Sequence, residues 1–356
     1  MLVSAPRRER ITRLLGAIAL FAGCEGSRAS RDDAGSVPQA VAGDAAVAGD
    51  APPTNRITFS VEKPRPAGSA LAKRCVLGGD PLSSDCVGGD AGIAIDRDGT
   101  LHVVTGSEVR RYKRATGDEC RYEPAGDPIA LPPDNPRPQR VGKGPLYMRS
   151  GGAAWQLTRS GDAIYAFDFL GGLFRIDRGT AEPACTEVFG YRNVATRGKQ
   201  LLVARSGIER LVLGKAGRCT ASSATIDDKA QGKLYAIRDQ LYLARNGTLV
   251  RYDGKDPVKL GDGTRICSTT SVTACGDGVC VLDNNCMQLV QLGADGAVLR
   301  TLETRQLFTA RPWSLQEAIT ADGGAVLVLG RHRDKVGDRE TCEAAIYELP
   351  AAVFAI

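Results

Sequence analysis

An apolar-x-apolar pair, in most copies just after a Gly or Asp turn, recurs six times between residues 101 and 328. The copies are Leu101/Val103, Ile164/Ala166, Leu201/Val203, Leu241/Leu243, Val279/Val281 and Val326/Val328. Seven residues before each first member stands another apolar residue, in turn Ala94, Leu157, Val194, Leu234, Val272 and Ile319. Successive pairs are 63, 37, 40, 38 and 47 residues apart. Locally the pattern is a hairpin. GIAIDRDGTLHVV sets Asp98-Gly99 between two alternating runs, and LVARSGIERLVL and LYLARNGTLVRYDG do the same around Ser206-Gly207 and Asn246-Gly247. These dipeptides supply the positive φ that tight turns need. No stretch sustains apolar spacing at 3.6 residues, so little helix is expected beyond the N-terminal segment.

Several antiparallel strands repeating about every 40 residues predict an all-β chain, a β-propeller whose twisted sheets cover one another by radial stacking. Six pairs predict six blades. A seventh would have to come from residues 132–150 (PPDNPRPQRVGKGPLYMRS), whose proline density favours a loop. Closing the ring takes a strand beside the C-terminal blade. Ile57–Val61 (ITFSV) is the expected supplier, and residues 351–356 (AAVFAI) compete. A pair of β-sandwiches is the alternative architecture, which the regular period disfavours. GLFRID (172–177) and GTLVRYDG (247–254), echoed by VRRY (109–112) and joined by DRDGTLHV (96–103), resemble blades of NHL-type or sensor-type propellers. The resemblance covers most of residues 90–350, and the last unit departs from it after Leu329.

The N-terminus has a different character. Arg7, Arg8, Arg10 and Arg13 stand against one acid, Glu9, and the uncharged run Leu14–Gly23 follows. Ten apolar residues fall short of the roughly 20 that span a bilayer, so the layout is that of an export signal. Ala22, Gly23 and Cys24 resemble the end of a bacterial lipobox, whose cysteine is lipidated and becomes the mature N-terminus. Phe21 stands where that family carries an aliphatic residue, and ordinary signal-peptide cleavage is the alternative. The resemblance implies a signal peptide over 1–23, a covalent lipid on Cys24 and membrane attachment through it. The implied location is the cell envelope, at the outer membrane or cell surface.

Residues 24–56 then read as a tether. The stretch 25–54 has no aromatic residue, Leu or Ile, and AVAGDA occurs there twice in tandem. Such a segment cannot offset its ordering entropy by burial. As a coil of thirty residues it reaches roughly 30 Å. Residues 57–356 are the expected propeller domain. The whole chain carries a net charge of +5, of which the signal supplies +3. That balance excludes a nucleic-acid-binding surface as the main function.

Eleven cysteines are an odd number. Lipidation of Cys24 leaves ten, enough for five bridges in an oxidising compartment. In CGDGVC, an Asp277-Gly278 turn would set Cys275 opposite Cys280, within bridging range. Cys280 with Cys286 competes, and Cys75 with Cys86 is a candidate local clasp. Cys120, Cys185 and Cys219 fall late in the first three units. Zinc sites favour closely spaced Cys and His sets, and the chain has two histidines, so disulfides are expected in preference to metal.

No Gly-x-Ser-x-Gly elbow, phosphate loop or His-Glu-x-x-His motif is present. His102 reads as a packed strand residue and His332 as part of an exposed, charged hairpin. Hairpin chemistry accounts for the Asp-Gly turns without calcium. By analogy with propellers that bind at one mouth of the central channel, Asp96, Arg159, Arg197, Arg238 and Asp322 are candidate channel-mouth residues. The leading expectation is a monomeric, lipid-anchored binding or scaffolding module for a protein or carbohydrate ligand. It has no catalytic residues and no cofactor beyond the lipid. A lactonase-like hydrolase with a channel metal and a structural part of an envelope assembly are the alternatives.

Overall fold

The computed structural model describes residues 71–79, 82, 91–117, 119–132, 155–168, 172–177, 179–185, 193–198, 200–204, 207–213, 219–227, 232–245, 247–252, 258–261, 266–310, 312–336 and 339–355. The signal and tether, Cys24, Ile57–Val61, Cys86 and nearly all of the proline-rich stretch lie outside them.

Six sheets, antiparallel except where Val76–Leu77 joins the edge of the first, form a six-bladed β-propeller. Their innermost strands are Gly92–Ile95, Trp155–Ser160, Asn193–Arg197, Lys233–Ile237, Thr269–Cys275 and Ser314–Thr320. Each inner strand contacts the inner strand of the next blade, and that of blade 6 contacts blade 1, so the ring is closed. Among the described residues, helix is confined to Thr304–Leu307 and two short 3₁₀ turns. Among the described residues no helix is long and apolar enough to cross a membrane.

The recurring pairs explain the ring. Side chains alternate across a strand, so a central strand whose residues are apolar at both parities has two faces to bury. All six pairs point to the preceding blade. Leu201 and Val203 pack with Tyr165, Phe167 and Leu173 of blade 2, and Val326 and Val328 pack with Leu282 and Leu289 of blade 5. The intervening residues point forward: Leu202 and Ala204 join Leu234, Leu241 and Leu243 of blade 4, and Leu327 and Leu329 join Ile93, Leu101 and Val103 of blade 1. One apolar cluster thus fills each of the six gaps.

The seven-residue spacing marks the core position in blades 2 to 5, where Leu157, Val194, Leu234 and Val272 lie opposite the second member of each pair. In blades 1 and 6 that position belongs to Ile93 and Ala318 instead of Ala94 and Ile319. The cause is the turn. Residues 96–100 and 321–325 make longer connections than the two-residue turns at 161–162 and 238–239.

Ring closure also differs from expectation. Lys73–Arg74 is the fourth strand of blade 6, pairing with Glu348 and Tyr347. The competitor fails as a strand because Ala351–Phe354 coils into a 3₁₀ turn after Pro350. That turn folds back onto blade 5. Gln291 Nε2 donates to Phe354 O at 3.0 Å, Arg300 donates to Ala355 O at 3.2 Å, and the Phe354 ring is buried between blades 5 and 6.

Three disulfides have both sulfurs described. Cys275 is bonded to Cys280, with Cα atoms 5.6 Å apart. The turn beneath it is Gly276-Asp277, because Gly276 takes the positive φ of 51°. Cys275 therefore faces Gly278, Thr273 faces Cys280, and the bridge runs diagonally. Cys286 is bonded to Cys267 and not to Cys280. Cys75 is bonded to Cys120 in place of Cys86, because Val76–Leu77 runs parallel beside Arg121 and Tyr122 and sets the two sulfurs together. Cys185 and Cys342 are also disulfide-bonded.

The packing of Phe354 predicts that Phe354→Ala lowers the free energy of unfolding by about 3–5 kcal/mol in urea denaturation, the range for emptying a buried aromatic site. A loss below about 1 kcal/mol would show that the C-terminal turn is not part of the packed ring.

Candidate functional site

Down the centre of the ring, side chains of each inner strand reach to the next. Ile93 N donates to Glu317 Oε2 (2.7 Å) between blades 6 and 1, and an Arg159 guanidinium nitrogen lies 3.5 Å from Ile95 O between blades 1 and 2. Val194 N donates to Gln156 Oε1 (3.3 Å) between blades 2 and 3. Asn193 takes the amide of Leu234 on its Oδ1 at 2.8 Å and returns a bond to the same residue's carbonyl, joining blades 3 and 4. Tyr235 donates to Thr270 O at 2.8 Å between blades 4 and 5. Between blades 5 and 6, Ser271 donates to Ala318 O at 3.2 Å and Thr273 meets Thr320 at 2.8 Å. The constant offset of that last pair of contacts shows two strands advancing in the same direction. Every junction is bridged.

These strands enclose a cavity of about 500 Å³ lined from all six blades. The volume is in the range that admits a small ligand. Its polar wall is largely committed to the bridges just described. Burial, with the charge of Glu317 adding to it, pushes the Tyr235 phenol far above its ordinary range, so Tyr235 serves as a neutral donor.

The five residues singled out at the mouth separate. Arg159, Arg238 and Asp322 line the cavity, whereas Asp96 and Arg197 are not part of its wall. Arg197 is exposed at the end of its inner strand. Arg238 donates to Asp277 O at 2.9 Å and also to Gly276 O, gripping the turn of the next blade. It sits with Asp239 in a two-residue turn at φ of 49° and 65°, values a non-glycine residue seldom adopts. Asp322 stands beside the blade 1 turn, where a Cβ on Gly99 would be 3.6 Å from its carboxylate.

Asp96 is turned inward to its own loop. One oxygen accepts the amides of Asp98 and Thr100, each at 2.9 Å, and the other lies 3.1 Å from His102 Nε2. Burial works to raise this carboxyl, but the bonds from His102 and the loop amides outweigh it and hold it below its ordinary value. His102 occupies the forward-facing slot of blade 1 that holds Tyr165, Leu202 and Leu327 in blades 2, 3 and 6, and is only 6% exposed. Burial lowers its pKa, against the raising pull of Asp96 and with help from Arg111. A neutral ring with its proton on Nε2 fits this site. His332, expected in an exposed hairpin, is half-buried on Val326–Val336 and bonded to the Tyr347 hydroxyl.

Among the described residues, two groups of three side chains have the reach to hold a metal ion: Cys75, Cys120 and Glu348, and Cys267, Asp283 and Cys286. Neither lines the channel, and their cysteines are in bridges. Asp283, fully buried, accepts amides from Cys267, Ser268 and Cys286 and so organises the bridged loop. Apart from Arg159, the bridging residues were passed over by sequence reasoning. Gln156, Asn193 and Ser271 did carry a signal, since each is the polar residue just before a registered core position. Glu317 and Tyr235 carried none.

No protein-family model matches this chain, and no curated protein matches it. Similar solved structures include a catalytically inactive virginiamycin B lyase from Staphylococcus aureus with quinupristin (TM-score 0.46, 10% identity, 78% of this chain and 98% of that one). Others are regucalcin, a calcium-binding protein from Agrobacterium tumefaciens (0.47, 12%, 78% and 95%), and PQQ-bound aldose sugar dehydrogenase from Streptomyces coelicolor (0.42, 13%, 78% and 98%). Likeness at this level carries nothing about activity.

Because the His102 pKa is lower folded than unfolded, the unfolded chain binds more protons below pH 6.5, and stability falls as pH drops through that value. Urea titrations should show wild type losing more stability between about pH 6.5 and 5 than His102→Gln, whose amide keeps a donor toward Asp96. Parallel pH profiles would show that His102 is not held neutral.

Proposed function

We infer that this chain is a binding module of the cell envelope: a disulfide-stabilised propeller, exported and tethered through a lipid on Cys24, that recognises its ligand at the channel mouth. One observation carries the reading. The polar groups inside the channel are largely committed to joining blades, while Arg159, Arg197, Arg238, Asp277 and Asp322 are exposed where inner strands end, Arg159 and Arg238 also reaching a neighbouring blade. Blades 2 to 4 thus offer guanidinium groups to the mouth, and blades 5 and 6 offer carboxylates. Charge of both signs around a concave opening favours selective recognition and fast encounter. A channel hydrolase would need carboxylates gathered around a metal, and both metal-capable groups found among the described residues lie elsewhere.

Two measurements test the two halves of this reading. The intact mass of membrane-extracted protein should correspond to a chain beginning at Cys24 with acyl groups, gaining ten hydrogens on reduction, one for each remaining cysteine. An unmodified Cys24 would overturn the anchor. Arg159→Glu, Arg197→Glu and Asp322→Lys should each weaken capture of the wild-type ligand from envelope extracts. Arg197→Glu and Asp322→Lys, exposed and outside the bridges between blades, should shift stability by no more than about 0.5 kcal/mol, whereas Arg159→Glu also removes the contact to Ile95 O. Undiminished capture by the triple variant would overturn the mouth as the recognition surface.

A further inference from the structure

The chain enters the ring across a seam. Leu71 and Ala72 donate to Gln306 O (3.2 Å) and Leu307 O (2.9 Å), the next two residues pair with blade 6, and Cys75 donates to Ile346 O at 2.8 Å. One residue later the segment changes sides. Val76 donates to Cys120 O, Val76 and Leu77 pair with Arg121 and Tyr122 of blade 1, and Gly78 donates to Tyr122 O, both bonds at 2.8 Å. The crossing residue, Cys75, is joined through sulfur to Cys120. The other two bridges with both sulfurs described tie blade 5 to itself.

The geometry points to a latch: the Cys75–Cys120 bridge closes the ring between blades 6 and 1 and takes the pull of the chain that precedes Leu71. The closing strand is only two residues long. An edge segment pulled from its free end gives up its hydrogen bonds one at a time, and each is weak alone. Peeling stops at residue 75, because going further requires a covalent bond to break. Non-covalent contacts also hold the seam, among them Ile93 N to Glu317 inside (2.7 Å) and Arg114 to Glu348 outside (2.9 Å). The load on the latch rests on the anchored reading of Cys24; closure itself does not.

Hydrogen exchange on the full chain tests the latch. In Cys75→Ala/Cys120→Ala, amides 72–78 should exchange at least about tenfold faster than in wild type, the signature of local opening. Cys275→Ala/Cys280→Ala should leave them unchanged. Unchanged exchange in the first variant would overturn the latch. Should that variant fail to fold, wild type pulled between its two ends gives the answer. Treatment with dithiothreitol passes two electrons and two protons to the cysteine sulfurs as the dithiol closes to its cyclic disulfide. Reduced protein should then show an early low-force step of roughly 25–30 Å, the contour of residues 71–78, which oxidised protein lacks. The step in both states, or in neither, would overturn the proposal. An unacylated Cys24 would remove the tether and leave the exchange contrast standing.

Discussion

A small sheet with two apolar faces cannot be stable alone, and that condition governs this molecule. The second strand of each blade alternates between residues aimed at the blade before and residues aimed at the blade after, as Leu201 and Val203 contrast with Leu202 and Ala204. Radial stacking satisfies both faces, but it leaves the inner strand edges looking into a channel. The side chains of Gln156, Asn193, Ser271 and Glu317 reach sideways to the neighbouring strand and tie that edge. Apolar stacking sets the blades next to one another, and the bridges at the channel fix their level. The same condition makes the seam between first and last blades the exposed point of the ring. The N-terminal segment crosses that seam at Cys75, whereas the C-terminal turn packs one gap away, with Phe354 between blades 5 and 6.

The blades were legible because their signal is local and repeated. Spacing of seven residues works wherever the turn between inner and second strand has two residues, and it slips by one where residues 96–100 or 321–325 lengthen that turn. Closure was not legible. Lys73–Arg74 is too short and too charged to stand out, and it becomes a strand only because blade 6 offers an open edge. The Cys75 partner was missed for the same reason, since Cys120 becomes its neighbour only once the ring is closed. The diagonal Cys275–Cys280 bridge shows a smaller version of the problem. Both sulfurs were named from spacing, but the register turned on whether Gly276 or Gly278 took the turn.

The mouth shows where residue type misleads. Asp96 and Asp322 read alike as carboxylates beside an inner strand. One is absorbed by the amides of its own loop and by His102, and the other faces the cavity. An Asp followed by a glycine-containing turn is more apt to organise that turn than to wait for a ligand. Arg238 shares both roles, gripping the next blade while lining the cavity. The polar groups of the interior are therefore largely taken up in joining one blade to the next.

The most direct test of this account is residue-resolved hydrogen exchange at the amides of Ile93, Val194 and Leu234. Each points away from its own sheet and donates to a side chain of a neighbouring blade. If those bridges hold the ring, these amides exchange only with global unfolding, as slowly as the core amides of the second strands. Exchange at the rate of an open strand edge facing water would show that the blades are held by apolar stacking alone, and that the ring of bridges is not what fixes them.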